Sequence, residues 1–141
     1  MPFQGQTKAE PMTADDVKSS QDELQLHEEF ITYQDLGKKL EFIGKEDIDG
    51  TECLKLKMTD KDGQETSFFL DPDNYYIIKE ITKIKADGKE MENITSFGNY
   101  KKTPEGVVYP MAISGGFGEM EIVKLEINPT IDEAIFKLPT M

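Results

Sequence analysis

The run YKKTPEGVVYP, Tyr100 to Pro110, decides how the rest of the chain is read. Pro104-Glu105-Gly106 carries turn chemistry, because proline presets φ and glycine accepts the positive φ that tight turns require. The β-branched pair Val107-Val108 follows, then Tyr109-Pro110, so the turn delivers the chain into a strand. Pro110 has no N–H to give to a ladder, which predicts an edge or a bulge there. A turn between two extended segments is a hairpin, and the neighbouring sequence repeats the device.

Toward the N-terminus, Lys38 to Ile48 alternates through Leu40 and Phe42, and Asp49-Gly50 is a type I′ hairpin signal. Thr51 to Thr59 sets Leu54, Leu56 and Met58 on one face and Cys53, Lys55 and Lys57 on the other. Asp62-Gly63 marks a second turn. Gln64 to Asp71 then carries Thr66, Phe68 and Leu70 opposite Phe69, and Asp71-Pro72-Asp73-Asn74 is a third turn. Tyr75 to Ala86 is the longest strand expected. Tyr75, Ile77 and Ile81 alternate against Tyr76, Ile78 and Ile84, the pattern of a strand covered on both faces. Asp87-Gly88 is a fourth turn, and Lys89 to Phe97 carries Met91, Thr95 and Phe97 opposite Ile94.

Beyond a strand from Val107 to Ile113, glycines 115, 116 and 118 break the pattern. Glu119 to Ile127 is the last strand expected, with Val123, Leu125 and Ile127 aligned. Asn128-Pro129 ends it, and Asp132 to Phe136 predicts a single helical turn. At the other end, residues 1–12 read as loop. Thr13 is an N-cap for a helix from Ala14 to about Glu28. A second helical piece, Glu29 to Leu36, would bury Phe30, Ile31, Tyr33 and Leu36, with Gly37 as its cap.

Strands joined by short turns imply an antiparallel meander. The fold expected is α+β: a strongly twisted antiparallel sheet of about seven strands, a half-barrel, with one or two N-terminal helices packed on one face. Residues 1–36 form the N-terminal loop and helical segment. Residues 37–141 form the meander, within the same single domain.

Composition excludes several classes of function. The chain has 141 residues, 37% apolar and 31% charged, with net charge −12 and pI near 4.5. All 16 basic residues are lysines. A nucleic-acid partner is not expected, because phosphate binding calls for clustered cations and, in general, arginine forks. One cysteine, Cys53, excludes an intrachain disulfide. No run approaches the roughly 20 apolar residues of a membrane-spanning helix. The opening MPFQGQ has no basic and apolar leader pattern and reads like the interior of a longer chain. That reading makes this chain a C-terminal fragment, with a signal peptide upstream. Residues 1–35 hold eight acids and two lysines. This is a solvated helix face or an acidic docking surface for a partner.

Catalysis finds no constellation. Asp47/Asp49, Asp60/Asp62 and Asp71/Asp73 superficially suggest metal ligands. However, each sits at a hairpin turn, and none matches the glycine and glutamate spacing of a calcium loop. The SGGFG run, Ser114 to Gly118, lies between strands, without the helix terminus that a phosphate loop uses. His27, the one histidine, is far in sequence from Cys53, so no base is placed for a nucleophile. No catalytic residue, metal or cofactor is expected, and the chain is read as non-enzymatic.

What remains is apolar inventory: seven methionines and eight phenylalanines in a polar chain. Leu54, Leu56, Met58, Phe68, Leu70, Ile78, Met91, Phe97, Met111 and Met120 are spaced to line one sheet face. Two readings stay open, an ordinary core beneath helices or a lipid-accepting surface lined by adaptable side chains.

An ordered set of motifs resembles the periplasmic LolA-like family of outer-membrane lipoprotein-sorting and carrier proteins. Met1-Pro2-Phe3-Gln4-Gly5 is similar to the family's NPFQG-like text, with Met1 replacing asparagine. The hairpin from Gly44 to Glu52 leading into Leu54-Lys55-Leu56, and Phe69-Leu70-Asp71 followed by Tyr76-Ile77-Ile78-Lys79, resemble its strand pairs. Tyr100 to Pro110 is similar to its Y-x-x-x-x-G-h-h-Y/F-P hairpin. Ile127-Asn128-Pro129, Ile131-Asp132-Glu133 and Phe136-Lys137-Leu138-Pro139 resemble its closing segment. The set spans about Gly37 to Pro139. The resemblance implies an incomplete antiparallel barrel covered by helices, a periplasmic location, and a cavity that shields lipid or lipoprotein acyl chains. Membrane-associated proteins are further partners in this reading. The chain departs from the family in lacking its N-terminal strands and the arginine tied to lid opening.

Overall fold

The computed structural model describes residues 11–14, 17, 29–86, 89–116 and 118–136. The chain divides into two compact units, Met1–Gly37 and Lys38–Met141. In the first, the Val17 amide donates to the Thr13 carbonyl at 2.9 Å, a helical turn where Thr13 was expected to cap. The remainder of the helix expected over 14–28 lies outside the described residues. Helix α1 spans Glu29–Thr32 and is shorter than expected. Turns follow it, and Gly37 closes them at φ 70° with its amide donating to the Gln34 carbonyl. Ile31, expected to be buried, is 80% exposed.

The second unit is a seven-stranded antiparallel sheet. Its strands are β1 (Lys39–Ile48), β2 (Thr51–Thr59), β3 (Glu65–Leu70) and β4 (Ile77–Ala86), then β5 (Lys89–Lys102), β6 (Val108–Gly115) and β7 (Gly118–Glu121). They pair in sequence order with β1 and β7 at the two edges, so the sheet is an open meander. A 3-10 turn, Glu133–Phe136, follows, with the Asp132 carboxylate accepting from the Ala134 amide at 2.9 Å.

The turns explain the meander. Asp49 and Gly50 both hold positive φ, 52° and 87°, as a type I′ turn demands, and the Asp47 carboxylate accepts from the Gly50 amide. Asp60 Oδ1 accepts from the amides of Asp62 and Gln64, each at 2.8 Å. Asp71 Oδ1 accepts from Asp73 and Asn74, and Asn74 Oδ1 from Tyr76. Asp47, Asp60 and Asp71 therefore satisfy turn amides, which is why acids recur at these hairpins. Gly106, at φ 93°, donates to the Thr103 carbonyl and closes the hairpin around Pro104. The expected Asp87-Gly88 turn lies outside the described residues.

Register fixes which side chains share a face, because residues directly opposite in an antiparallel ladder point the same way. On one face Phe42 pairs with Leu56, Leu56 with Phe68, Leu40 with Met58, and Leu54 with Leu70. On the other, Lys55 pairs with Phe69 and Phe69 with Lys79, while Glu46 pairs with Cys53. These are called here the Leu56 face and the Phe69 face. A bulge between Phe42 and Gly44 sits on the outermost strand, and Gly44 at φ 140° accommodates it.

A second irregularity falls where Phe69 pairs with Lys79 but Leu70 with Ile77. Ile78 is the extra residue and swings to the Phe69 face, packing with Ile81 against a cluster of Ile48, Cys53 and Phe69. This corrects the expected placement of Ile78 with Leu56 and Met58. Simple alternation counts through a bulge that the chain does not respect.

The last strand is also shorter than its hydrophobic pattern predicts. It pairs with β6 through Glu121, the Ile122 amide still donates to the Met111 carbonyl, and the chain then leaves the ladder. Val123, expected in the aligned apolar row, is 92% exposed. Among the described residues none beyond Ile122 pairs with the outer flank of β6, while Pro110 pairs with Tyr100 of β5 on the other side.

Candidate functional site

The residues expected to form an apolar surface converge on the Leu56 face, with Ile78 the exception. Strand β2 contributes Leu54, Leu56 and Met58, and β3 contributes Phe68 and Leu70 through direct cross-strand pairs. On β5, Met91 pairs with Ile84 and Phe97 with Ile113, and Ile113 pairs in turn with Met120 on β7. Met111 lies two residues from Ile113 along β6 and so shares its face. Nine dispersed apolar positions thus form one surface because seven strands keep their phase apart from local bulges.

This surface is not uniformly open. Met58, Phe68 and Met111 are buried, at 3%, 4% and 8% exposure, whereas Met91 and Met120 are about half exposed, at 52% and 46%. Leu54, Leu56, Leu70 and Phe97 are half-buried. The best-buried cluster, Ile48, Cys53 and Phe69, lies on the opposite face. That face also carries the ionic ladder, with Lys57 and Lys83 both on the Glu65 carboxylate, at 3.2 and 3.0 Å. Both lysine contacts hold the Glu65 carboxyl below its ordinary value, and the same bond raises Lys83. The two faces therefore differ in kind: one is rich in methionine and leucine, while the other is pinned by ion pairs around a small core.

Cys53 is fully buried. Burial first, then the neighbouring Asp71 and Asp47 carboxylates, push its thiol up, while Lys79 opposes the shift. A raised thiol is a poor nucleophile, so Cys53 is a packing residue. Among the described residues no group of three His, Cys, Asp or Glu side chains is placed to hold a metal. No helix among them is long and apolar enough to cross a membrane.

Open grooves accompany the sheet among the described residues. One, of about 610 Å³, runs along β5 to β7 and is lined by Ser96, Gly98, Ala112, Ser114, Glu119 and Glu121, which by register share the Phe69 face. Of the expected surface residues it is lined by Phe97 and Met120. Another, of about 490 Å³, lies among Glu65, Lys83, Glu90 and the Asp62–Gln64 turn and is polar. Sequence reading missed one feature of the Leu56 face, a row of polar residues on β3, β4 and β5 at its centre. Alternation carried back from Ile84 through Thr82 and Glu80 exposes it.

No family model matches the sequence, and neither does any curated protein sequence. Among solved structures, the chain is similar to a crystal structure from Vibrio parahaemolyticus described as an outer membrane lipoprotein-sorting protein domain. The TM-score is 0.52 at 17% identity, over 70% of this chain and 46% of that one. The chain therefore spans just under half the length of that protein. At this identity the likeness is one of fold, and the open antiparallel sheet is LolA-like.

Proposed function

We propose that the chain is a non-enzymatic lipid- or lipoprotein-binding module of the bacterial periplasm, holding acyl chains against the Leu56 face. The observation that carries this reading is the convergence of Leu54, Leu56, Met58, Phe68, Leu70, Met91, Phe97 and Met111 on one face. The LolA-like fold supports it, since the solved relative is named for lipoprotein sorting. Each methylene transferred from water to such a surface contributes about 0.8 kcal/mol, and unbranched methionines adapt to chains of varied shape.

A second reading is a protein–protein interaction module with the same face packed dry, and the burial of Met58, Phe68 and Met111 favours it. Native mass spectrometry of the full chain before and after delipidation, with titration of a neutral fluorescent acylglycerol, separates the two. Acyl binding predicts a co-purifying lipid mass and saturable binding. No lipid mass before delipidation, together with no saturable binding after it, contradicts acyl binding and supports the dry module.

A further inference from the structure

After β7 the chain continues as a strand-like run without a ladder. Val123-Lys124-Leu125-Glu126-Ile127 alternates apolar and charged residues, yet the pairing with β6 ends at Glu121 and the Ile122 amide makes the last bond to it. Among the described residues, none of these five makes a backbone hydrogen bond. None holds a positive φ, and Leu125 and Ile127 are half-buried on either side of an exposed Glu126, as an extended segment requires. Asn128, at φ 49°, turns the chain and ends the run. The Ile122 amide points at β6, and backbone direction alternates along an extended chain. The N–H and C=O groups of Val123, Leu125 and Ile127 therefore point to the opposite, open side.

An exposed run with unpaired N–H and C=O groups is a template for another strand, and the side chains here specify which one. Laid antiparallel on a second copy, with Leu125 opposite the partner's Leu125, Val123 meets the partner's Ile127 and Lys124 the partner's Glu126. Moving the register by one residue sets charge against hydrocarbon. Moving it by two sets Lys124 on the partner's Lys124, or Glu126 on the partner's Glu126. The backbone agrees with the centred register: its hydrogen-bonded pairs fall at the outward groups of Val123, Leu125 and Ile127. Lys124 and Glu126 then take the closer, non-hydrogen-bonded positions. These two side chains already lie 3.0 Å apart within one chain and are exposed, so two copies assemble four alternating charges. We propose that residues 123–127 form an edge for self-association, joining two copies about a two-fold axis at Leu125. The occupant is a second copy because the charge order of this run is complementary to its own reverse. The inference does not depend on acyl binding.

Each copy carries a net charge of −12, so the test is run at physiological salt, which screens charges more than about 8 Å apart. Sedimentation velocity over a rising concentration series is measured for the full chain, for Lys124→Glu, for Glu126→Lys and for an equal mixture of the two variants. The unaltered chain is expected to pass from monomer to dimer. Each variant alone sets like charges at both crossings and is expected to dimerise about tenfold more weakly. The mixture restores both ion pairs and with them the unaltered affinity. A monomer at every concentration, a dimer indifferent to both reversals, or a mixture no tighter than its components overturns the proposal. Should either variant not fold, carbodiimide cross-linking of mixed light and heavy-isotope chains decides. The proposal requires a Lys124–Glu126 link between the two isotopes, and absence of that link overturns it.

Discussion

The Tyr100 hydroxyl donates to the Ile77 carbonyl at 2.6 Å, joining the far part of β5 to the first residue of β4. The Tyr100 ring also stacks on Tyr76, with centroids 4.6 Å apart. These contacts hold the entry to β4 beside the bulge at Ile78, where Tyr75 adopts a left-handed φ of 62°. The hairpin that ends in Pro110 thus begins with a residue that fixes a strand pairing elsewhere.

Tyr100→Phe keeps the ring and removes the hydroxyl. The half-buried Ile77 carbonyl then loses its partner, and the expected loss is about 1 kcal/mol. Urea denaturation should show a lower midpoint with an unchanged slope.

Phe69 is 1% exposed and packs with Ile48 and Cys53, with the Lys55 ammonium 5.1 Å from its ring centroid. Phe69→Ala is expected to cost about 3–5 kcal/mol, a large share of the roughly 5–15 kcal/mol that holds a domain together. Equilibrium unfolding measures this directly. In the unaltered chain the same packing predicts that Cys53 reacts with a thiol reagent only on unfolding, so labelling accelerates sharply in denaturant.

Much of this was legible before any coordinates. Asp49-Gly50, Asp62-Gly63 and Pro104-Glu105-Gly106 announce turns through backbone chemistry local to a few residues, and period-two alternation then fixes the faces of β2, β3 and β5. What was not legible depends on pairing. The bulge that moves Ile78 to the Phe69 face is a mismatch between β3 and β4, and no local pattern in β4 records it. Val123, Leu125 and Ile127 alternate like a strand, yet the β6 ladder ends before them. The core cluster is assembled from Ile48, Cys53, Phe69, Ile78 and Ile81, three of which follow irregularities or strand ends.

Glu65 gives the fold a pH dependence. Its folded value lies below the ordinary 4.5 through its bonds to Lys83 and Lys57, so its contribution is present above that value and lost as pH falls through the folded one. Lys83 is the mirror case: raised above 10.5, it contributes at neutral pH and loses that contribution as pH rises through its folded value. Melting temperatures of Glu65→Gln should therefore fall less steeply than those of the unaltered chain on both the acid and the alkaline limb. Added salt should shrink the difference, since these groups are exposed.

Gly50 stands at φ 87° with open space where a side chain would sit. Gly50→Ala therefore tests backbone strain alone, with an expected loss of about 1–2 kcal/mol. The hairpin it closes places β1, and with it Phe42 and Leu40, at the edge of the Leu56 face.

The central claim is that the Leu56 face takes up acyl chains. Met91 tests it most directly, because it lies on that face at 52% exposure and its replacement should leave the fold standing. The measurement is titration of a neutral fluorescent acylglycerol against the unaltered chain and Met91→Glu, with melting curves for both. Acyl binding on this face predicts saturable binding that weakens by about tenfold or more in Met91→Glu at an almost unchanged melting temperature. No saturable binding to the unaltered chain, or equal binding by both proteins, would contradict it.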